Sequence, residues 1–130
     1  MKNLFKKVAL LMAMLVTISS FGNPNALPDE IILALKTGNS KTLAKYFDAN
    51  IELKILEDED IYSKTQAELI LKDFFIKNKP VDFKILHDGG EGVKYAIGTI
   101  TTSKGSYRVT VMYKVSDGQP LVKTLRIEEE

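Results

Sequence analysis

The 130-residue chain contains no cysteine, no tryptophan and only one histidine. Without cysteine the chain can form no disulfide, thiolate metal site or thiol nucleophile, and it offers no cysteine for a lipid anchor. An excess of basic charge is missing as well, because 18 lysine and arginine residues stand against 17 aspartate and glutamate residues. Nucleic-acid-binding surfaces normally show such an excess, so we expect no nucleic-acid partner.

Long apolar runs are also scarce, and the one run present lies near the start, at residues 8–18. Three lysines precede it and small residues follow it up to Gly22, an order that is typical of a secretory signal peptide. The run is much shorter than the roughly 20 residues that a helix needs to cross a bilayer, so we expect no stable membrane anchor. We predict a signal peptide over residues 1–22 and export to the periplasm or the extracellular space.

Removal of that segment leaves residues 23–130, which we expect to form a single domain. The removed segment contains three lysines and no acid, so the formal net charge falls from +1 to −2. A chain of this length buries about 65% of its unfolded surface on folding, which is enough for one hydrophobic core.

Three segments of the first half have helical periodicity. The stretch "LPDEIILALKTGN" opens with acids and closes with glycine, which is typical of the two ends of a helix. In "SKTLAKYF" we expect a second helix, capped by Ser40 and with Phe47 on its apolar face, so that the two helices form a bent hairpin. The segment "SKTQAELILKDFFIKNKP" predicts a longer helix that begins with a capping box of Ser63 and Gln66, with an alternative capping pair at Thr65.

The segment "NIELKILEDEDIYS" changes to a period of two. It predicts a strand over residues 51–56, an acidic turn and a short return strand. After residue 80 the same period continues in four runs joined by short glycine-bearing turns. These runs lie near residues 81–88, 93–102, 106–115 and 121–128. They predict antiparallel strands with one buried face, so the fold class is α+β, with helices packed on a curved, mainly antiparallel sheet.

The order of elements, together with "YFDANIEL", "YSKTQAELILKDFF" and "FKILHDGG…YAIGTITTSKGSYRVTVMYKVSDGQPLVKTLRIEEE", resembles the nuclear transport factor 2-like superfamily. The resemblance covers nearly all of residues 23–130. Within the superfamily the chain is similar to a group of small exported Bacteroidetes-type proteins of unknown function, through its phenylalanine–aspartate pair and its final "LRIEE". The resemblance implies a sheet that curves as a cone around the helices, often with a pocket at the open end.

The superfamily includes ketosteroid isomerases and dehydratases, whose pockets hold an acidic base beside a tyrosine or protonated acid, or an Asp/His pair. The inward strand positions of this chain show no clear carboxylate. Only Asp48 and His87 are polar candidates, and neither matches a catalytic motif, so the resemblance transfers no catalytic residue.

The single histidine lies in "HDGGEG", residues 87–92. Three glycines so close together are typical of a hairpin turn. Strand alternation from Ile85 predicts that His87 points to the inner side of the sheet. A metal site of His87, Asp88 and Glu91 is the alternative, but it is a weak ligand set for zinc. We therefore expect neither a metal nor another cofactor.

The acidic stretch "EDED", residues 57–60, lacks the spacing of a calcium-binding loop. Consecutive solvated acids at a hairpin tip also discourage the pairing of sheet edges, which is the interpretation we prefer.

Tyrosines provide the candidate pocket. Alternation places Tyr107 and Tyr113 on one face of their strand, and we assign Tyr95 of the neighbouring strand to the same inner face. The candidate pocket lining consists of Phe47, Phe74, His87, Tyr95, Tyr107, Val109 and Tyr113. The alternative is that these aromatic residues fill an ordinary core.

The same alternation assigns Ala96, Gly98, Ile100 and Met112 to the outer face of the sheet. A patch of small residues and methionine there predicts a homodimer contact, with a mostly polar surface as the alternative.

Three hypotheses on function follow. The first is a non-catalytic exported module that binds a small apolar molecule, a peptide or a protein partner. The second is a small pocket enzyme with His87 or Asp48 as its base beside a tyrosine donor. The third is a structural domain that interacts through its outer sheet face. We prefer the first because no catalytic motif is present.

Overall fold

The computed structural model describes residues 27–130, so the predicted signal peptide lies outside the described residues. Within this range there are three helices: α1 (Asp29–Thr37), α2 (Ser40–Ala44) and α3 (Lys64–Lys77). Six strands complete the domain: β1 (Phe47–Ile55), β2 (Asp58–Ser63), β3 (Pro80–Gly89), β4 (Lys94–Thr102), β5 (Gly105–Ser116) and β6 (Gln119–Glu129).

Local capping determines where α3 begins. Ser63 Oγ accepts a hydrogen bond from the Gln66 backbone N–H at 3.2 Å, and Gln66 Oε1 accepts one from the Ser63 backbone N–H at 3.4 Å. These two bonds satisfy backbone donors that a helix start leaves unpaired. The predicted capping box at Ser63 is therefore confirmed.

The second helix differs from the prediction in both its start and its length. Asn39, rather than Ser40, caps it, because Asn39 Oδ1 accepts a hydrogen bond from the Thr42 backbone N–H at 3.0 Å. The helix ends at Ala44, and Phe47 begins β1 instead of extending the helical face. Asparagine is as good an N-cap as serine, so sequence alone could not separate the two positions.

The six strands form one sheet in the order β2-β1-β6-β5-β4-β3. All neighbouring strands are antiparallel except β1 and β6, which are parallel. The helices cover one face, and the core between the two layers contains fully buried side chains such as Leu35, Leu71 and Leu125. The predicted α+β class is confirmed.

The β1–β2 hairpin turns one residue earlier than predicted. Its connection consists only of Leu56 and Glu57, and Asp58 already pairs with Ile55. The acids at positions 58–60 are thus strand residues on the exposed edge strand β2, not turn residues. Leu56 adopts the left-handed conformation with φ of 57°.

The predicted faces of β4 are reversed. Ala96 lies opposite Val111 and is 1% exposed, and Ile100 is fully buried, so both belong to the core. Tyr95 lies opposite Met112, and each is 38% exposed on the outer face. The predicted outer patch of Ala96, Gly98 and Ile100 is therefore wrong. Apolar residues occupy both faces of β4, so its alternation did not reveal which face is buried.

A β-bulge in β3 changes the orientation of the histidine. Ile85 pairs with Gly98 and His87 pairs with Ile97, so β3 uses one residue more than β4 over this interval. An extra residue reverses the alternation beyond it. His87 is consequently exposed on the outer face, and Asp88 lies opposite Ala96 on the inner face. The prediction of an inward His87 is wrong for this reason.

Candidate functional site

A cleft of about 490 Å³ lies between the β1–β2 hairpin and α3. We name it the hairpin cleft. Its apolar walls consist of Leu53, Ile55, Leu56, Tyr62, Ile70 and Phe74. Its polar lining consists of Glu57, Asp58, Asp73, Lys77 and Asn78. The cleft extends from solvent down to the core side chains Leu53 and Phe74, and a larger groove of about 620 Å³ lies on the outside of the helices.

Regular secondary structure positions most of these residues. Leu53 and Ile55 are two apart on β1 and therefore share the inner face. Ile70, Phe74 and Lys77 are spaced by four and three residues on α3, so they lie along one side of that helix. The cleft is the space between these two rows.

The turn at Leu56 closes one end of the cleft. The Leu56 backbone N–H donates to the Ile127 carbonyl oxygen at 2.8 Å, which attaches the turn to β6. A leucine in the left-handed region costs roughly 1–2 kcal/mol, because its Cβ approaches the following carbonyl oxygen. The structure accepts this strained residue at a position where its side chain lines the cleft.

A hydrogen-bonded group stabilises the base of the cleft. The Tyr107 hydroxyl donates to Asn78 Oδ1 at 3.2 Å, and Asn78 Nδ2 donates to the Phe74 carbonyl oxygen at 3.0 Å. The rings of Phe74 and Tyr107 meet edge to face, with centroids 5.6 Å apart. Among the described residues no buried side-chain nitrogen or oxygen lacks a hydrogen-bond partner. The Tyr107 hydroxyl therefore supports the cleft wall and is already engaged.

Asn78 is the residue of this group that sequence reasoning missed. The sequence pattern indicates only that Asn78 ends the helix, where its backbone N–H does bond to the Phe74 carbonyl oxygen. Its side chain is buried, and a buried amide requires polar partners. The Tyr107 hydroxyl, for which the sequence pattern suggests no partner, is the signal that could have indicated the Tyr107–Asn78 hydrogen bond.

Three predicted lining residues lie in the core away from the cleft walls. Phe47, Val109 and Tyr113 are all buried and belong to the main hydrophobic cluster. Burial raises the pKa of Tyr113, and the nearby negative charge of Asp88 adds to the increase. Phe74, by contrast, lines the cleft directly.

The other two predicted lining residues, His87 and Tyr95, lie on the outer face of the sheet. They cannot share a pocket with Tyr107 or Tyr113, because the sheet itself separates them. A ligand-binding role for the predicted residues stays a prediction, whereas the predicted inner positions of His87 and Tyr95 are wrong.

Acidic groups dominate the cleft mouth. Lys77 Nζ and Asp73 Oδ2 are 2.9 Å apart, and this exposed pair neutralises itself. Glu57 and Asp58 are exposed and form no ion pair with any residue in 27–130. The cleft therefore has a formal charge of −2, located at the hairpin turn.

Asp48, the second candidate base, lies outside the cleft. Its carboxylate accepts a hydrogen bond from Lys123 Nζ, and this bond, with a further bond from the Ala49 backbone N–H, lowers the pKa of Asp48. A carboxylate with a lowered pKa is a weaker proton acceptor. Within residues 27–130 no three histidine, aspartate or glutamate side chains are grouped so that they could hold a metal ion.

Within residues 27–130, three helices pack on one face of a six-stranded mixed sheet, which is the α+β arrangement of the nuclear transport factor 2-like fold. Residues 28–128 match the family model described as DUF4783, a domain of unknown function, and the chain belongs to this family. No helix within the described residues is long and apolar enough to span a bilayer.

Two solved DUF4783 structures are similar over most of the chain. The protein from Bacteroides fragilis YCH46 is 28% identical with a TM-score of 0.76, covering 81% of this chain and 100% of that one. The protein from Bacteroides ovatus ATCC 8483 is 30% identical with a TM-score of 0.76, covering 82% and 97%.

A more distant structure supports the fold alone. A nuclear transport factor 2-like protein of unknown function from Cytophaga hutchinsonii ATCC 33406 is 15% identical with a TM-score of 0.56, covering 84% of this chain and 91% of its own. No curated protein matches the chain. The predicted family resemblance is confirmed, and export and binding stay predictions.

Proposed function

We propose that the protein is an exported, non-catalytic binding module whose hairpin cleft holds a small amphiphile with an apolar body and a cationic end. One observation carries the proposal: an apolar cleft reaches buried Leu53 and Phe74 through a mouth that carries the unpaired acids Glu57 and Asp58. Ligand sites usually combine an apolar lining with a few convergent polar groups, and their volumes are about 300–1,000 Å³.

The charge of the mouth favours a cation over an anion. An anionic end would lie beside two carboxylates, whereas an ammonium group there gains a favourable Coulomb interaction. The apolar body contributes roughly 25 cal/mol for each Å² of apolar surface that it buries. Together these terms favour an amine-bearing amphiphile over an alcohol or carboxylate of the same chain length.

A non-catalytic role is supported by the positions of the two candidate bases. His87 lies on the opposite face of the sheet, and Asp48 is hydrogen-bonded to Lys123 outside the cleft. Tyr107, which contacts the lining residues Phe74 and Asn78, already donates its proton to Asn78. The export part of the proposal depends on the signal-like pattern of residues 1–22.

The test compares decylamine, decanol and decanoate, each below its micelle concentration, by thermal unfolding of the purified protein. A ligand at one hundred times its Kd adds about 2.7 kcal/mol of stability, which raises the midpoint by about 10 °C or more in a domain of this size. We expect the largest shift with decylamine and the smallest with decanoate. Equal shifts with all three, or no shift, would contradict the proposal.

Two neighbouring residues on α3 provide a matched pair of variants. Ile70→Trp fills the hairpin cleft, whereas Leu69→Trp adds the same bulk to an exposed position outside it. We expect Ile70→Trp to abolish the decylamine shift and Leu69→Trp to retain it. The double variant Glu57→Gln/Asp58→Asn keeps the shape of the cleft but removes its two carboxylates, so it should remove the preference for decylamine over decanol and decanoate.

Dimerisation through the outer sheet face is a second candidate function. Tyr95 and Met112 face each other across β4 and β5 with 38% exposure each, and Ile97 lies beside them. An isologous contact would bring this patch against itself in a second copy. Sedimentation equilibrium of the protein and of Met112→Glu tests it: a dimer that the substitution dissociates supports this function, and a monomer at all concentrations contradicts it.

A further inference from the structure

A second depression lies on the helical side of the molecule and is lined by residues of α3 other than those that line the hairpin cleft. It is a groove of about 620 Å³ along α3, beside the junction of α1 and α2. A smaller depression of about 290 Å³ continues it between α2 and the start of α3, and the two share Lys41 and Glu68. We name the combined feature the basic groove.

Lysines provide nearly all of the charge in the basic groove. Its charged residues are Lys41, Lys45, Lys64, Lys72, Lys79 and Glu68. All five lysines are exposed, and none forms an ion pair with another residue in the described part of the chain. The groove thus has a formal charge of +4.

This concentration contrasts with the rest of the domain. Residues 23–130 contain 15 basic and 17 acidic residues, so outside the groove 10 basic residues stand against 16 acidic ones. A domain with a net charge of −2 therefore presents one strongly positive groove. Such segregation attracts an anionic partner and orients its approach.

An apolar stripe runs along the same groove. Leu69 and Ile76 are seven residues apart on α3, so they lie on one side of the helix two turns from each other, and they are 58% and 71% exposed. Lys72 lies between them, and the buried Phe75 contributes to the floor. Neither exposed side chain belongs to the hydrophobic core, so folding does not account for its apolar character.

We propose that the basic groove is a docking site for an acidic amphipathic helix of a partner protein. Apolar side chains of such a helix would contact Leu69 and Ile76, and its carboxylates would pair with the flanking lysines. The helix α3 that borders the groove extends from Lys64 to Lys77, about 21 Å at the helical rise, which accommodates about four turns of a bound helix. A concave groove fits a helix better than it fits a flat bilayer surface.

The binding probe is a fluorescein-labelled 16-residue peptide with leucine at helical i, i+3, i+4 and i+7 spacing and glutamate elsewhere. Fluorescence polarisation with the purified protein should give saturable binding that weakens as salt screens the lysines. A peptide with lysine in place of glutamate should bind at least tenfold more weakly. Equal binding of the two peptides, or none, would overturn the proposal.

Charge-reversal variants locate the site. We expect Lys41→Glu/Lys72→Glu to weaken the acidic peptide at least tenfold. The control Lys84→Glu/Lys114→Glu reverses the same number of exposed lysines, on β3 and β5, outside the groove and should change binding less than twofold. Loss of binding in both double variants would indicate a net-charge effect and reject the groove.

A separate variant tests how much the exposed apolar side chains contribute to peptide binding. Ile76→Ser removes an exposed methyl-bearing side chain without a change of charge, and we expect about a fivefold loss of affinity at an unchanged unfolding midpoint.

Two other occupants of the basic groove are tested in parallel. Binding to vesicles with 30% phosphatidylglycerol without peptide binding would replace the helix by a membrane surface. If the peptide does not bind but the protein self-associates, and Lys41→Glu/Lys72→Glu abolishes that self-association, the occupant of the groove would be the acidic hairpin of a second copy instead of a partner helix.

Discussion

The hydroxyl of Tyr107 on β5 donates a hydrogen bond to Asn78 Oδ1 at the end of α3, at a distance of 3.2 Å. This bond connects the sheet to the helix that forms one wall of the hairpin cleft. Asn78 in turn donates to the Phe74 carbonyl oxygen, so a single amide joins the last turn of α3 to the tyrosine. The pair therefore links the α3 wall of the cleft to the sheet.

Replacement of Tyr107 by phenylalanine should destabilise the domain by about 1 kcal/mol, because it leaves Asn78 Oδ1 without its partner. Chemical denaturation measures the loss. Tyr95→Phe is the control, since Tyr95 is exposed on the outer face and the substitution should change stability by less than about 0.5 kcal/mol. Equal losses in the two variants would show that the Tyr107–Asn78 bond contributes nothing specific.

Most of the elements were predictable from local signals. The capping box at Ser63 and the glycine-bearing turns between the last four strands are short-range features that a sequence displays directly. The parallel pairing of β1 with β6 has no such signal. It joins segments about 70 residues apart in the chain, and only the packing of the complete sheet selects it.

The candidate site was less predictable than the fold. An inner position was predicted for His87 from unbroken alternation, and the bulge between Ile85 and His87 reversed it. A bulge adds one residue without a distinctive composition, so alternation alone does not reveal it. Phe74 is predictable because it recurs at helical spacing with Ala67, Ile70 and Leu71 along one side of α3. Leu56 and Asn78 line the cleft through a turn conformation and a tertiary hydrogen bond, neither of which a periodic pattern encodes.

Gly98 on β4 lies in close contact with the neighbouring strand β3. A Cβ at this position would lie 2.4 Å from the Lys84 carbonyl oxygen and 2.8 Å from the Phe83 ring. Because both neighbours must shift, Gly98→Ala should destabilise the domain by about 1–3 kcal/mol. Gly92→Ala is the control, since no atom lies within 4 Å of its added Cβ. Thermal unfolding that shows both variants equal to wild type would contradict the close contact of Phe83 with β4.

The two capping pairs at the start of α3 make opposite predictions. Ser63→Ala removes the side-chain acceptor of the Gln66 N–H and should cost about 1 kcal/mol. Thr65→Ala tests the alternative pair two residues along, and the structure predicts a change of less than about 0.5 kcal/mol because Thr65 lies inside the helix. Urea denaturation of both variants measures the difference. A larger loss for Thr65→Ala would assign the helix start to the alternative pair.

Glu128 should contribute a pH-dependent part of the stability. Lys54 Nζ donates a hydrogen bond to Glu128 Oε2 at 3.0 Å and Arg126 Nε donates to Oε1 at 3.2 Å, and these bonds lower the pKa of Glu128 below its ordinary value of 4.5. A lowered folded-state pKa means that this contribution is complete above pH 4.5 and is lost as pH falls through the folded pKa.

Glu128→Gln should therefore reduce the free energy of unfolding at pH 7, and the difference from wild type should shrink as pH falls below about 4.5. Urea denaturation from pH 7 to pH 3 measures both curves. The neighbouring exposed Glu129→Gln is the matched control and should follow wild type more closely. A Glu128→Gln deficit that stays constant down to pH 3 would show that the substitution acts through packing, because a lost carboxylate interaction must disappear when the carboxylate is protonated.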